Sequence, residues 1–170
     1  MWDFEIDSDA LKTEIEVPFF EDATGETAPN YRTTRSVTDA QSELSRWLGK
    51  HGGIVTGMIP VRFNNAVAAK NVLRYGFIVE FMFGGGARGR MHIAALPLRK
   101  ESVDKKNRVL AMALLNRAEY FKAAFTTRIH DPYSNPLLQY LLVDGDKTVA
   151  QVIVEQKSLV LLGSGVKVGE

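Results

Sequence analysis

Three glycines, Gly84, Gly86 and Gly89, are spaced G-x-G-x-x-G, an arrangement that lets backbone amides close around a phosphate. In a dinucleotide site that loop must open a helix whose N-terminus faces the pyrophosphate. Here Met91-His92-Ile93 continue instead as a strand-like run. A kinase glycine loop does lie between strands, but no HRD or DFG pattern follows it. The glycines therefore read as the tip of a hairpin. Arg88 and Arg90, flanking Gly89, are cations that such a tip could carry along or into a nucleic-acid groove. A solvated tip is the plain alternative.

More cations follow at Arg99, Lys100, Lys105, Lys106 and Arg108. The last three sit in the first turns of a long helical pattern, where the helix dipole disfavours positive charge and a bound anion, or plain solvation, would relieve it. Phe77, Phe81 and Phe83 share one strand face. Exposed, they would stack unpaired bases at ~1–3 kcal/mol each; buried, they are core against the long helix, as phenylalanine more often is. The candidate contact residues are thus Arg88, Arg90, Arg99, Lys100, Lys105, Lys106 and Arg108, with Phe81 and Phe83 nearest the tip.

Other chemistries find less support. His51, His92 and His130 have no histidine or acid at metal-ligand spacing on a helix. Asp144-Gly145-Asp146 lacks the further oxygen ligands of a calcium loop and reads as a turn, with Asp146 near a helix N-cap. Ser164, in GSG, has no strand-turn-helix context for a nucleophile. With no cysteine, thiolate catalysis, thiolate zinc sites and disulfides are excluded. The expectation is a non-enzymatic protein with no cofactor and no metal.

Charge along the chain points to the partner. Residues 1–30 carry nine acids against Lys12; residues 31–128 carry 17 Lys+Arg against six acids; residues 129–170 carry three bases against five acids. A net charge of +1 thus conceals an acidic arm and a basic body. Basic bodies attract polyanions, and an acidic arm can shield them or dock elsewhere. The apolar content of 45% is that of a globular protein, and no run of about 18 apolar residues spans a membrane. The acidic start lacks the basic and apolar regions of a signal peptide, which points to a cytoplasmic protein.

The elements that must position these residues are legible from pattern. Trp2, Phe4 and Ile6 alternate with acids, as do Ile15 and Val17, suggesting short edge strands or an arm that orders with a partner; residues 21–30 read as an exposed loop. Thr38 and Gln41 have the form of a capping box before a helix over 38–50, ended by Gly52-Gly53. Residues 53–63 read as an edge or broken strand because of Pro60. Residues 66–75 are open between a short helix and a strand. Residues 77–83 and 90–98 form the hairpin around a 84–89 tip. Leu110, Leu114, Phe121 and Phe125 stripe a helix over 104–128. Short helices over 137–142 and 148–156 precede a tail from 161.

From Thr34 onward the order of features resembles a group of small uncharacterised proteins of phage and bacterial genomes. The residues carrying the resemblance are Thr34, Ser36, Ser42-Glu43-Leu44 through Leu48-Gly49-Lys50-His51-Gly52, Leu96-Pro97-Leu98, the basic helix from Arg108, and Asn135-Pro136-Leu137-Leu138 through Thr148-Val149. The match covers about two thirds of the chain; residues 54–75 stand as an addition to it. No activity transfers, only a phage or mobile-DNA setting.

The sequence thus predicts an α+β domain over 31–160, an antiparallel sheet around a long-tipped hairpin packed by one long helix and several short ones. It predicts binding to single-stranded DNA or RNA without strong sequence preference. The alternative is a homo-oligomeric assembly module that sets the acidic arm against a neighbour's basic body.

Overall fold

The computed structural model describes residues 17–65 and 72–155. The strand readings over residues 2–16, the tail from 161, and residues 66–71 lie outside them. In chain order the elements are α1 (Val37–Lys50), β1 (Gly53–Asn65), β2 (Val72–Phe83), β3 (Arg88–Ala94), α2 (Val103–His130), β4 (Leu142–Asp144), β5 (Lys147–Thr148) and α3 (Val149–Glu155). Single 3-10 turns occupy Phe20–Asp22 and Leu138–Tyr140. The fold is α+β: an antiparallel sheet in the order β1-β2-β3, a two-stranded β4-β5 ribbon, and one long helix.

α1 starts one residue before its predicted bound. Its cap is Ser36, not Thr38: the Ser36 backbone is extended, and its Oγ accepts from the Asp39 amide at 3.1 Å. Ala40, Leu44 and Leu48 form the buried stripe, and Gly52, at φ +90°, turns the chain into β1. β1 is an edge strand, which is where Pro60 can sit without removing a ladder hydrogen bond.

The β2–β3 hairpin pairs Met82 with Arg88 through Gly76 with Ala94. Its tip is tighter than the predicted 84–89. Four residues, Gly84 to Ala87, make the turn, closed by Gly86 N–H to Phe83 O and Phe83 N–H to Ala87 O, both 2.9 Å. Gly86, at φ +85°, supplies the left-handed residue. Arg88, Gly89 and Arg90 are therefore held in the ladder rather than in a flexible loop. Past Ala95, whose amide bonds Tyr75 O, the chain leaves the sheet, so Leu96 to Leu98 are not strand.

α2 is capped by Ser102 and runs to His130. The helix predicted over 137–142 is a single 3-10 turn. Asp144-Gly145-Asp146 is a turn as expected, with Gly145 at φ +60°. Asp146 stands two residues before the cap of α3, Thr148, which exchanges hydrogen bonds with Gln151 in a reciprocal box.

The core lies between one face of the sheet and the two larger helices, with Val79, Phe81, Met91, Leu44, Leu48, Leu114 and Phe121 at its centre. Phe20, Ala23 and Ala28 belong to the same core. α1 and α2 run side by side in one direction. Val37 and Thr38 share a cleft with Asp104 and Asn107 at one end, and the rings of Trp47 and Phe125 meet 6.1 Å apart at the other.

His51 closes the hairpin-tip end. It is 2% exposed; its Nε2 lies 2.7 Å from Phe121 O, and Arg128 Nη1 lies 3.1 Å from its Nδ1. A carbonyl only accepts and a guanidinium only donates, so the proton is on Nε2 and the ring is neutral. Burial, opposed by the Phe121 bond and reinforced by Arg128, pushes its pKa down.

Candidate nucleic-acid interface

The sheet aromatics are not a stacking platform. Phe81, a predicted base contact, is 1% exposed and sits in the core; Phe77 is buried beside it, and Phe83 is half-buried with its ring edge-on to that of Phe81. The physical reason is alternation. Tyr75, Phe77, Val79 and Phe81 occupy the one face of β2 that the helices cover. Gly89 completes the arrangement. It pairs with Phe81 across the ladder, and a Cβ at position 89 would overlap the Phe81 ring. The last glycine of the G-x-G-x-x-G pattern thus makes room for a phenyl group, and Gly86 makes a turn.

The two hairpin arginines differ in availability. Arg90 Nη2 lies 3.2 Å from Glu80 Oε1 and Nη1 lies 3.5 Å from Asp146 Oδ1. Arg88 is exposed, with no carboxylate at ion-pair distance among the described residues.

The remaining predicted cations lie at the opposite end of the sheet. Lys106 Nζ is 4.6 Å from the centroid of the Tyr75 ring, and Tyr75 stands seven residues up β2 from Met82, the partner of Arg88. At about 3.3 Å per residue the two groups are ~23 Å apart. The predicted contact cations are therefore split between two ends of the domain.

The end around Tyr75 collects cations from several chain segments. Arg99, Lys100, Lys105, Lys106 and Arg108 come from the α2 approach and its first turns. Arg32 and Arg35, just before the α1 cap, and Arg62, at the far end of β1, join them; sequence reading did not single these out. The Arg62 guanidinium lies 5.1 Å from the same Tyr75 ring as Lys106. A cleft of about 660 Å³ opens between the two helix starts, lined by Arg32, Arg35, Arg108 and Asn107 and by the hydroxyl residues Thr33, Thr34, Ser36 and Thr38, with Asp104 at its wall. Arg108 is steadied over the Phe20 ring at 5.4 Å and donates to Tyr31 O at 3.4 Å. One signal in the sequence could have found Arg32 and Arg35: two arginines immediately before a serine cap.

No protein-family model, curated protein or solved structure matches the chain.

Part of this basic end is already neutralised. Glu21 accepts from Lys105 Nζ at 2.9 Å, from the Arg99 amide at 3.1 Å and from the Lys100 amide at 3.3 Å. Asp22 takes the Arg99 guanidinium through both oxygens. Burial pushes the Glu21 carboxyl up, but those hydrogen bonds, led by Lys105, outweigh it and hold its pKa at about 2. Arg32, Arg62, Lys100 and Lys106 have no carboxylate at ion-pair distance among the described residues. The arrangement can hold a polyanion by charge and by hydroxyl and guanidinium hydrogen bonds. Among the described residues no three His, Asp or Glu side chains cluster to hold a metal, and no helix is long and apolar enough to cross a membrane.

Proposed function

We propose that this chain is a non-enzymatic nucleic-acid-binding protein that grips a single strand by its phosphates, with little sequence preference, at the end of the domain where α1 and α2 begin. The observation that carries the reading is the gathering of Arg32, Arg35 and Arg108 around one recess, with Arg62 and Lys106 over the Tyr75 ring at the same end of the domain. Phosphate neutralisation supplies sequence-independent affinity. With Phe77 and Phe81 in the core, neither ring stacks on bases, so this mode relies on charge and on hydrogen bonds to phosphate. A recess between helix starts suits a flexible strand better than a duplex, whose phosphates lie on a stiff, convex surface. A phage or mobile-element setting, which the resemblance suggests, is one where such accessory proteins operate.

The test is salt-titrated fluorescence anisotropy with labelled oligo-dT and with duplex DNA of the same length. Oligo-dT should bind, weaken steeply as salt rises, and lose affinity on Arg32→Glu/Arg108→Glu. No binding of either nucleic acid at low salt would sink the reading. The seating of Glu21 and Asp22 on Lys105 and Arg99 favours one second reading, in which a neighbour's acidic segment seats there and the chain assembles. A molar mass by light scattering that falls towards one chain on Glu21→Gln/Asp22→Asn, which leaves the core residues Phe20, Ala23 and Ala28 in place, would support that assembly.

A further inference from the structure

The sheet has a second face that no helix covers among the described residues. On it Ile54 pairs with Met82, and Ile59 with Ile78, with the Glu80–Arg90 ion pair lying between the two apolar pairs. Ile54 is 62% exposed, Ile59 47% and Met82 39%, so the aliphatic side chains stand in solvent among the described residues. Near the hairpin end this face is walled by the turn at Gly145-Asp146, leaving a cleft of about 620 Å³. A sheet that exposes large aliphatic residues on its open side calls for a covering element.

We propose that residues 1–16 of the same chain cover this face, with the apolar side of Trp2, Phe4 and Ile6 laid on the Ile54/Met82 and Ile59/Ile78 pairs. Two observations select this occupant. First, its tether is in the right place: the Phe20 amide bonds Pro97 O at 2.9 Å, three residues beyond Ala94 at the end of β3. β3 spans seven residues, about 23 Å, whereas the 18 residues from Trp2 to Phe20 reach up to ~60 Å extended, so the segment can return along the whole face. Second, its pattern fits. In an extended backbone, Trp2, Phe4 and Ile6 would share one side and Asp3, Glu5 and Asp7 the other. The other apolar segment of the chain, at Leu159 to Leu162, is a continuous apolar run and lacks that alternation. The proposal is independent of the nucleic-acid reading.

The chain contains two tryptophans, Trp2 and Trp47, so Trp47→Phe leaves Trp2 as the sole reporter. In that variant Trp2 emission should be blue-shifted, and its acrylamide quenching several-fold weaker, relative to a synthetic peptide of residues 1–16. Both signals should return to the peptide's values in Ile59→Glu and Met82→Glu, and neither should change on dilution or on removal of residues 156–170. If Trp47→Phe does not fold, the difference spectrum between the parent protein and Trp2→Phe gives the same signal with Trp47 in place. Peptide-like Trp2 in the folded protein, or a shifted Trp2 that ignores both substitutions, would overturn the proposal. So would a blue shift that disappears on dilution, which would assign the segment to a second copy, or one that responds only to loss of residues 156–170.

Discussion

Gly89 faces Phe81 across the β2–β3 ladder, and the phenyl ring fills the space a side chain at position 89 would need. The pair explains why a pattern that looks like a phosphate loop is a packing device. Gly89→Ala should therefore destabilise the fold by about 1–3 kcal/mol, the usual cost of overpacking a dense core. Gly85→Ala, in open space at the tip, should stay within about 0.5 kcal/mol of the parent. Urea denaturation followed by circular dichroism checks both; equal midpoints for the two variants would contradict the packing role.

The cap of α1 separates two neighbouring hydroxyls. Ser36→Ala removes the acceptor for the Asp39 amide and should cost ~1 kcal/mol. Thr38→Ala lies inside the helix and should be nearly neutral. The reverse ranking in thermal melts would place the helix start two residues later.

Acid should weaken the fold through His51. Its folded pKa is pushed below the ordinary 6.5, first by burial and also by the facing Arg128. Between the folded and unfolded values the unfolded chain binds more protons, so stability rises with pH there. The contribution is complete above about pH 6.5 and is lost as pH falls through the folded value. His92, lowered by burial and by Arg90, acts in the same direction. His51→Gln should thus flatten the stability profile between pH 7 and 5 without levelling it, which denaturant midpoints at each pH would read; an unchanged slope would remove His51 as the source.

Releasing the internal acids should strengthen nucleic-acid binding. Glu21→Gln/Asp22→Asn frees Lys105 and Arg99 while preserving side-chain shape. Oligo-dT affinity at low salt should rise several-fold, and the slope of log K against log salt should steepen by up to ~0.7 for each further phosphate neutralised. Because Glu21 titrates at about 2, this difference should persist unchanged from pH 8 down to pH 5. Equal affinities would mean that the two carboxylates do not compete with phosphate.

The two basic regions should separate in mutagenesis. Arg32→Ala/Lys106→Ala should lower affinity for all sequences alike and make the salt slope shallower by roughly 0.7 for each phosphate the variant no longer neutralises. Arg90→Ala should act mainly on stability, because Arg90 is engaged with Glu80 and Asp146. A larger binding loss at Arg90 than at Arg32 would move the interface to the hairpin.

Periodicity along the chain was enough to determine the α+β class, α1, the hairpin, the long helix and an edge or broken strand at Pro60, because each follows from local spacing and from the backbone limits of proline and glycine. The same local reasoning could place Phe77, Phe81 and Phe83 on one face of a strand, yet only the tertiary structure decided that the helices cover that face. Sequence order likewise grouped Arg88, Arg90 and the cations from Arg99 onward as candidate contacts. Seven residues of β2 hold them apart, while Arg32 arrives beside Arg108 and Arg62 beside Lys106 because α1 and β1 reach that same end of the sheet. Charge composition is a property of the chain; which charges share a surface, and which are already neutralised by Glu21 and Asp22, depends on pairings between residues more than seventy positions apart.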